Sequence, residues 1–153
     1  MYDTNGEKIY SVKTTLSGDG YPIDISISSD AKKLIASFIK VSGDEIKTNV
    51  VFYNFSDVGK HETERVVGGF NYDDIIVGDV KFVNDTTAVA VGENVVSIYK
   101  IKEYPSLEHT INIDNEIQKI FCSDQYIGLV LDNSESGDPY KLVVYNISGK
   151  HIF

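Results

Sequence analysis

The chain has 153 residues, with 14 basic and 23 acidic side chains and a formal net charge of −9. A surface of this sign does not suit phosphate-bearing partners, so the composition argues against nucleic acid and anionic membranes as ligands. No apolar run approaches the roughly 20 residues that cross a bilayer, so we expect no direct membrane insertion. The single Cys122 excludes an intrachain disulfide and a cysteine-based metal cluster.

A short apolar–Tyr–polar–apolar segment recurs along the chain, usually after β-branched residues that favour strands. Its copies contain Tyr10, Tyr53, Tyr99 and Tyr145, which stand about 45 residues apart. We expect these tyrosines to pack between neighbouring repeats with their hydroxyls on polar partners. The alternative is a ladder of aromatic binding residues.

A second segment precedes three of these tyrosines and reads as a strand that ends in an aspartate turn. It spans residues 25–30, 80–85 and 119–124, and its copies end in Asp30, Asp85 and Asp124. An apolar–small pair follows each turn: Ile35-Ala36, Val89-Ala90 and Ile127-Gly128. The third copy is imperfect, because Lys119 stands where the others carry Ile25 and Val80.

These segments define a repeating unit of four short strands, the last of them more polar and placed over 61–67 and 107–113. Four strands in about 40–45 residues is the size of a β-propeller blade. We therefore predict an all-β chain, 1–153, built of consecutive four-stranded antiparallel blades in an open arc or part of a larger ring. The units are a partial blade over 1–17 and blades over 22–67, 78–113 and 116–153, the last without its outer strand. A β-sandwich is the alternative.

The repeat resembles the WD-repeat superfamily and other regular propellers. Residues 25–30 and the following Leu34-Ile35-Ala36-Ser37 look like that family's inner strand, turn and second strand, and Tyr53 matches its aromatic position. The Trp-Asp and Gly-His signatures are missing, and Asn54, Lys100 and Asn146 replace the signature aspartate, which puts the family's polar network in doubt. The sequence is also similar to bacterial propeller proteins anchored outside the cell, which implies an extracytoplasmic location.

The resemblance implies that blade-joining loops and middle hairpins emerge on one face. These loops are rich in acids and tyrosines: Asp19, Tyr21, Asp44, Glu45, Tyr72, Asp73, Asp74, Glu93, Asp114, Glu116, Asp132, Glu135 and Asp138. Basic residues are nearly absent from them and gather on the opposite face, at Lys32, Lys33, Lys60, Lys102 and Lys150. Such a face is expected to attract cationic partners or divalent ions. Solubility alone is the alternative explanation.

No catalytic constellation is recognisable in the sequence. His61, His109 and His151 are expected near the starts of outer strands on separate blades, too far apart to share a metal ion. Asp132, Ser134 and Ser136 mimic the start of a calcium loop, but Val143 stands where a bidentate glutamate is required. A solvated hairpin tip is therefore favoured there, and Cys122 is expected to be a small core residue.

We therefore expect a non-catalytic binding or scaffold module, without a cofactor, that recognises a protein, peptide or glycan through its acidic, tyrosine-bearing face. Self-association through open blade edges is a further expectation. One alternative is part of a propeller hydrolase or lyase whose active centre needs further blades. The other is a purely architectural spacer.

Overall fold

The computed structural model describes residues 2–8, 11, 18–56 and 66–153. Within these residues, eleven strands form three antiparallel sheets in which strands that follow each other in sequence are neighbours. The first sheet contains β1 (Tyr21–Ile27), β2 (Lys33–Ser42), β3 (Glu45–Asn54) and β4 (Val66–Asp73). The second contains β5 (Asp79–Asn84), β6 (Thr87–Val91), β7 (Val95–Ile101) and β8 (Pro105–Asn112). The third contains β9 (Ile117–Ser123), β10 (Tyr126–Asp132) and β11 (Tyr140–Asn146).

The three sheets stand side by side as propeller blades. Strand β1 contacts β5, and β5 in turn contacts β9, so the first strands of successive sheets are neighbours. One apolar core lies between the first and second blades and another between the second and third. The middle sheet is therefore covered on both faces, which two facing layers cannot provide, and the sandwich alternative is wrong.

Strict alternation along the strands divides the apolar residues between these two cores. In β6, Ala88 and Ala90 belong to the first seam, the core between the first and second blades, whereas Val89 and Val91 belong to the second seam. Because successive side chains of a strand point to opposite faces, a strand buried on both sides reads as a continuous apolar run. This explains why β6 is buried throughout.

The tyrosine strands occupy the third position of each sheet. Tyr99 is completely buried in the first seam, with its ring centroid 5.1 Å from Phe52 and 4.7 Å from Phe70. Tyr145 is half-buried against the second seam. Tyr53 is buried on the opposite face of the first sheet and stacks with Phe55. All three rings thus face the N-terminal side of their own blade.

Tyr10 lies outside the described residues. Of the predicted partial blade over 1–17, residues 2–8 and 11 are described, and Tyr2 and Lys8 form an antiparallel bridge there. At the other end of the chain, His151 forms an isolated bridge to Tyr145. The residues after β11 therefore turn back beside it.

The fourth strand of the first blade differs from its prediction over 61–67, which lies mostly outside the described residues. The described strand runs over Val66–Asp73, so it includes Gly68-Gly69 and ends at residues predicted to be loop. A Cβ at Gly68 would lie 2.7 Å from Cγ of Pro105, the first residue of β8. Glycine therefore allows β4 to approach the neighbouring blade closely.

The third blade shows why its repeat reads as imperfect. Gly128 pairs with Val144, as Val89 pairs with Ile98, so Ile127 is not the equivalent of Val89 as predicted. Both turns contain two residues, but β5 has a bulge at Val83 just before its turn, whereas β9 pairs with β10 without a shift from Lys119 to Ser123. This difference places Ile120, rather than Lys119, at the buried position of Val80.

Helical structure is limited to one 3₁₀ turn, Ser134–Ser136, in the described part of the chain. Among these residues, no helix has the length and hydropathy needed to span a bilayer.

Candidate functional site

Backbone contacts bring the blade-joining loops and the middle hairpins to one edge of the sheets. Between the first two blades, the amide of Asp74 donates to the carbonyl of Ile46 at 2.9 Å. The buried Thr48 hydroxyl donates to the carbonyl of Ile75 at 2.8 Å and accepts the amide of Val77 at 3.3 Å. The loop after β4 is thereby fixed against β3.

The junction between the second and third blades is built in the same way. The amide of Ile117 donates to the carbonyl of Glu93 at 2.7 Å, and the amide of Asp132 donates to the carbonyl of Glu116 at 2.8 Å. The Asn115 side chain donates to the carbonyl of Asp132 at 2.9 Å. Three loops that are distant in sequence therefore lie side by side.

Two of these loops, residues 114–116 and 132–135, line a cleft of about 250 Å³, which we call the acidic cleft. It is lined by Asp114, Asn115, Glu116, Asp132, Asn133, Ser134 and Glu135. Asp114, Glu116 and Glu135 are exposed, whereas Asp132 is half-buried. The lining contains four carboxylates and no basic side chain among the residues that the structure describes.

Asp132 combines a structural role with its place in the cleft. Its Oδ1 accepts the amide of Ser134 at 2.9 Å, and this hydrogen bond holds the pKa of the Asp132 carboxyl below its usual value. The Ser136 hydroxyl donates to the carbonyl of Asn133 at 2.9 Å, so this oxygen of the calcium-like segment is used inside the turn. Within the described ranges, no group of three His, Cys, Asp or Glu residues is placed to hold a metal ion.

The acids of the first blade form a separate group with a basic residue among them. Lys47 Nζ lies 3.7 Å from Glu45 Oε2 and 3.9 Å from Asp73 Oδ1. Lys47 lies in β3 and not in a loop, so this corner combines acids with a basic strand residue. Asp73 also ends β4 instead of lying in a loop, and Asp74 follows it with a left-handed φ of 58°.

Tyr72 is placed differently from its prediction as a loop residue. It belongs to β4, its ring is half-buried against the first seam, and its hydroxyl contacts the hydroxyl of Tyr99. Burial raises the pKa of Tyr72 above its usual value, against a weaker lowering by the Ser97 hydrogen bond. This tyrosine therefore contributes to blade packing and not to the exposed face.

The remaining predicted residues of the face lie apart from the acidic cleft. Asp44 is at the exposed tip of the β2–β3 hairpin, and Asp138 is exposed just before β11. Asp19 is half-buried, and Tyr21 is 61% exposed at the start of β1. Of the predicted face, the structure brings together Asp114, Glu116, Asp132 and Glu135.

The aspartate turns lie at the opposite ends of the strands and link one blade to the next. Oδ1 of Asp85 accepts the Ser29 hydroxyl at 2.6 Å and the amide of Asp30 at 2.9 Å. The carbonyl of Asp124 accepts the Asn84 side chain at 2.7 Å. Asp85 and Asp124 hold equivalent positions of the repeat, and each accepts a hydrogen bond from the preceding blade, Asp85 through its carboxylate and Asp124 through its backbone carbonyl.

Asp30 instead stabilises its own turn. Burial raises the pKa of Asp30, but hydrogen bonds from the Ser28 hydroxyl and the Lys32 amide, with the charges of Lys33 and Lys32, hold it below its usual value. The Lys33 ammonium lies 3.6 Å from Oδ2 of Asp30. The carboxylate is therefore favoured in the folded chain.

Two residues that the sequence analysis did not single out connect the first strands of neighbouring blades. Oδ2 of Asp24 accepts the amide of Val80 at 2.9 Å and lies 3.6 Å from Lys81 Nζ. The hydroxyl of Ser26 accepts the amide of Phe82 at 3.0 Å. The polar residues that alternate with isoleucine in β1 were the available signal, because alternation places them on one face.

The described histidines and the cysteine lie outside the acidic cleft. His109 is exposed in the middle of β8, not near its start, and the His151 ring lies 5.1 Å from that of Tyr145. His61 is outside the described residues. Cys122 is half-buried against the second seam, where burial raises its pKa to about 11 despite an opposing charge effect of Lys81.

Three Asn-x-Ser/Thr sequences form the same local turn. Asn54, Asn84 and Asn146 each accept, through Oδ1, the amide and the hydroxyl of the residue two positions later. This geometry is a side-chain-stabilised turn at a strand end. It explains the recurrence of the sequence without glycosylation.

Comparison with known proteins identifies the family and supports the fold. Residues 1–153 match DUF5711, described as a family of unknown function, and the chain belongs to that family. No curated protein sequence matches the chain. The crystal structure of Hsv2 from Kluyvelomyces marxianus superimposes with a TM-score of 0.52 and 16% sequence identity, over 87% of this chain. The chain corresponds to 38% of the length of that β-propeller protein.

Proposed function

We propose that the protein is a non-catalytic binding module whose acidic cleft receives a basic segment of a partner protein or peptide. Four carboxylates around one cleft, with no basic side chain in its described lining, carry this proposal. Opposite charges attract, and a concave site focuses the field of its charges, so lysine or arginine side chains are the matching ligand chemistry. Among proteins, peptides and glycans, this chemistry favours a basic peptide.

The hydrogen bonds that hold the loops of the acidic cleft in place support a role for the cleft in ligand binding. Its two lining loops are held by backbone hydrogen bonds at strand ends, donated by the amides of Ile117 and Asp132. A site on elements fixed in this way loses little conformational entropy when a ligand binds. The lowered pKa of Asp132 also favours its charged form when no ligand is bound.

The likeness of the repeat to WD-repeat propellers, and to bacterial propellers anchored outside the cell, suggests the setting of this activity. We include in the proposal that the blades act as a scaffold for extracytoplasmic recognition. The polar hydrogen bonds between blades here run through Asp24, Ser26 and Asp85. These hydrogen bonds connect the blades although the Trp-Asp and Gly-His signature residues of WD repeats are missing.

The proposal is tested with a fluorescently labelled oligolysine peptide and fluorescence anisotropy. The double variant Asp114→Asn/Glu116→Gln should raise the Kd about tenfold, because it removes two charges from the cleft. The matched control Glu103→Gln/Glu108→Gln removes the same charge from exposed positions around β8. It should change the Kd by less than about twofold, because those charges lie outside the cleft and are screened by salt.

A labelled oligoglutamate peptide provides the specificity control and should not bind. Equal weakening by both double variants would show that net charge alone attracts the peptide and that the cleft is not a site. Absence of oligolysine binding to the wild-type chain at physiological salt would also refute the proposal.

A further inference from the structure

Four apolar residues form a patch at the loop end of the first seam, which we call the apolar rim: Val41 in β2, Ile46 in β3, and Ile75 and Ile76 in the loop after β4. Val41, Ile75 and Ile76 are 60%, 36% and 48% exposed, and Ile46 is half-buried. Single exposed apolar residues are common on protein surfaces, whereas a contiguous patch marks an interaction site.

Pairing and hydrogen bonds make the apolar rim contiguous. Val41 and Ile46 pair across β2 and β3, and alternation places both on the same face of the sheet as Thr48. The Thr48 hydroxyl donates to the carbonyl of Ile75 at 2.8 Å. The amide that precedes Ile75 in the chain donates to the carbonyl of Ile46 at 2.9 Å. The loop that carries Ile75 is therefore fixed beside the Val41–Ile46 pair.

The β6–β7 hairpin lies between the apolar rim and the acidic cleft. On one side, a Cβ at Gly92 would lie 2.9 Å from Cγ2 of Ile75, so the hairpin packs directly against the rim. On the other side, the carbonyl of Glu93 accepts the amide of Ile117 at 2.7 Å, next to Glu116 of the cleft. One hairpin therefore separates the two surfaces, and an extended segment can contact both.

The two blade junctions offer a ligand different chemistry. The loop between β8 and β9 carries Asp114, Asn115 and Glu116, whereas the loop between β4 and β5 carries Ile75 and Ile76. Both loops join the last strand of one blade to the first strand of the next, so the repeat does not require isoleucine at these exposed positions. Apolar burial adds affinity beside the charges, which fix orientation.

We propose that the ligand is an extended segment of a partner protein in which basic residues stand near apolar ones. Its lysine or arginine side chains occupy the acidic cleft, and its apolar side chains cover the apolar rim. A peptide chain brings both kinds of side chain to the two surfaces, because it advances about 3.3–3.6 Å per residue when extended. This inference rests on the proposed function of the acidic cleft and specifies its ligand.

Fluorescence anisotropy with two labelled peptides of equal charge tests this ligand chemistry. Each peptide has four lysines and two glycines, followed by two leucines in one peptide and by two serines in the other. The wild-type chain should bind the leucine peptide about tenfold more tightly, because leucine side chains leave water on the apolar rim. Ile76→Ser and Val41→Ser should each reduce this difference to less than about threefold.

Leu107→Ser is the matched control, because Leu107 on β8 has the same 48% exposure as Ile76 and lies outside the apolar rim. It should keep the tenfold preference for the leucine peptide. Thermal denaturation of the three variants checks that each retains the fold of the wild-type chain.

The serine peptide reports on the acidic cleft alone, so the two claims fail in different ways. If its binding depends on Asp114 and Glu116 but leucine adds no affinity, the proposed function stands and this inference is overturned. If neither peptide binds, both are overturned. Loss of the leucine preference in Leu107→Ser, or a wild-type dimer that Ile76→Ser abolishes, would also overturn the inference, because the rim would then bind unspecifically or contact a second copy.

Discussion

The two seams place different side chains at equivalent positions of the repeat. The first seam is aromatic and carries hydroxyl groups: Phe52, Phe70 and Tyr99 contact one another, with Tyr72 beside them. The second seam is mainly aliphatic, with Ile98 at the position of Phe52 and Leu129 completely buried opposite. The difference shows that the repeat conserves which face of each strand is buried, while the shape and polarity of each seam are set separately.

The largest expected effect comes from emptying the equivalent position in each seam. Phe52→Ala should lower the free energy of unfolding by about 3–5 kcal/mol and Ile98→Ala by about 2–5 kcal/mol, because each leaves a cavity in a packed core. Urea denaturation measures both. If either substitution costs less than about 1 kcal/mol, that seam is not a continuous core and the comparison fails.

The packing of the second seam can be tested through the reactivity of the Cys122 thiol. With its pKa raised to about 11 from 9.0, the folded thiol should react with iodoacetamide about 100-fold more slowly than the unfolded chain at pH 8, because the thiolate is the nucleophile. A raised folded pKa also means that this group's contribution to stability is fully present below pH 9 and is lost as pH rises towards 11. The measurement is the labelling rate, with and without urea. Equal rates in the two states would contradict burial of Cys122 against this seam.

The smallest effect concerns a hydroxyl in the first blade. Ser37 is completely buried, and its Oγ has no hydrogen-bond partner among the residues that the structure describes. Ser37→Ala should raise the free energy of unfolding by up to about 1 kcal/mol, because the cost of burying an unpaired hydroxyl disappears. Thermal and urea denaturation measure the change.

Ser97→Ala is the matched control, because the Ser97 hydroxyl has a hydrogen bond to Tyr72. This substitution should lower the free energy of unfolding by about 1 kcal/mol. If both substitutions change the free energy of unfolding in the same direction, the Ser37 and Ser97 hydroxyls do not differ in hydrogen bonding. The contrast drawn here between Ser37 and Ser97 would then be wrong.

Much of the fold could be predicted from local patterns. The recurring tyrosine strand, the aspartate turn and the alternating first strand located β1, β2, β3 and their counterparts. The fourth strand of the first blade was predicted to end at residue 67 but continues to Asp73, and the close approach of Pro105 explains the glycine at position 68. That contact joins residues of different blades, so no local pattern could reveal it.

The acidic face was predicted only in part. The resemblance to propellers implied that Asp114, Glu116, Asp132 and Glu135 share one face, but their grouping around a single cleft depends on the hydrogen bonds that hold two loops together. Tyr72 was misassigned because the strand boundary was wrong, and the ion pairs of Lys47 depend on the pairing of β3 with β4. The WD-repeat relationship and the extracytoplasmic location stay predictions.

By itself, the sequence determined the all-β class, the size of the repeat and the apolar strands, because period-two alternation and turn chemistry are local properties of the chain. Only the tertiary structure decided which neighbour covers each face, how a bulge present in β5 but missing before the turn of β9 places Ile120 in the core, and which carboxylates share a cleft. These features depend on contacts between different strands, loops and blades. Their geometry is set by how the sheets pack, and the sequence of any one blade does not contain it.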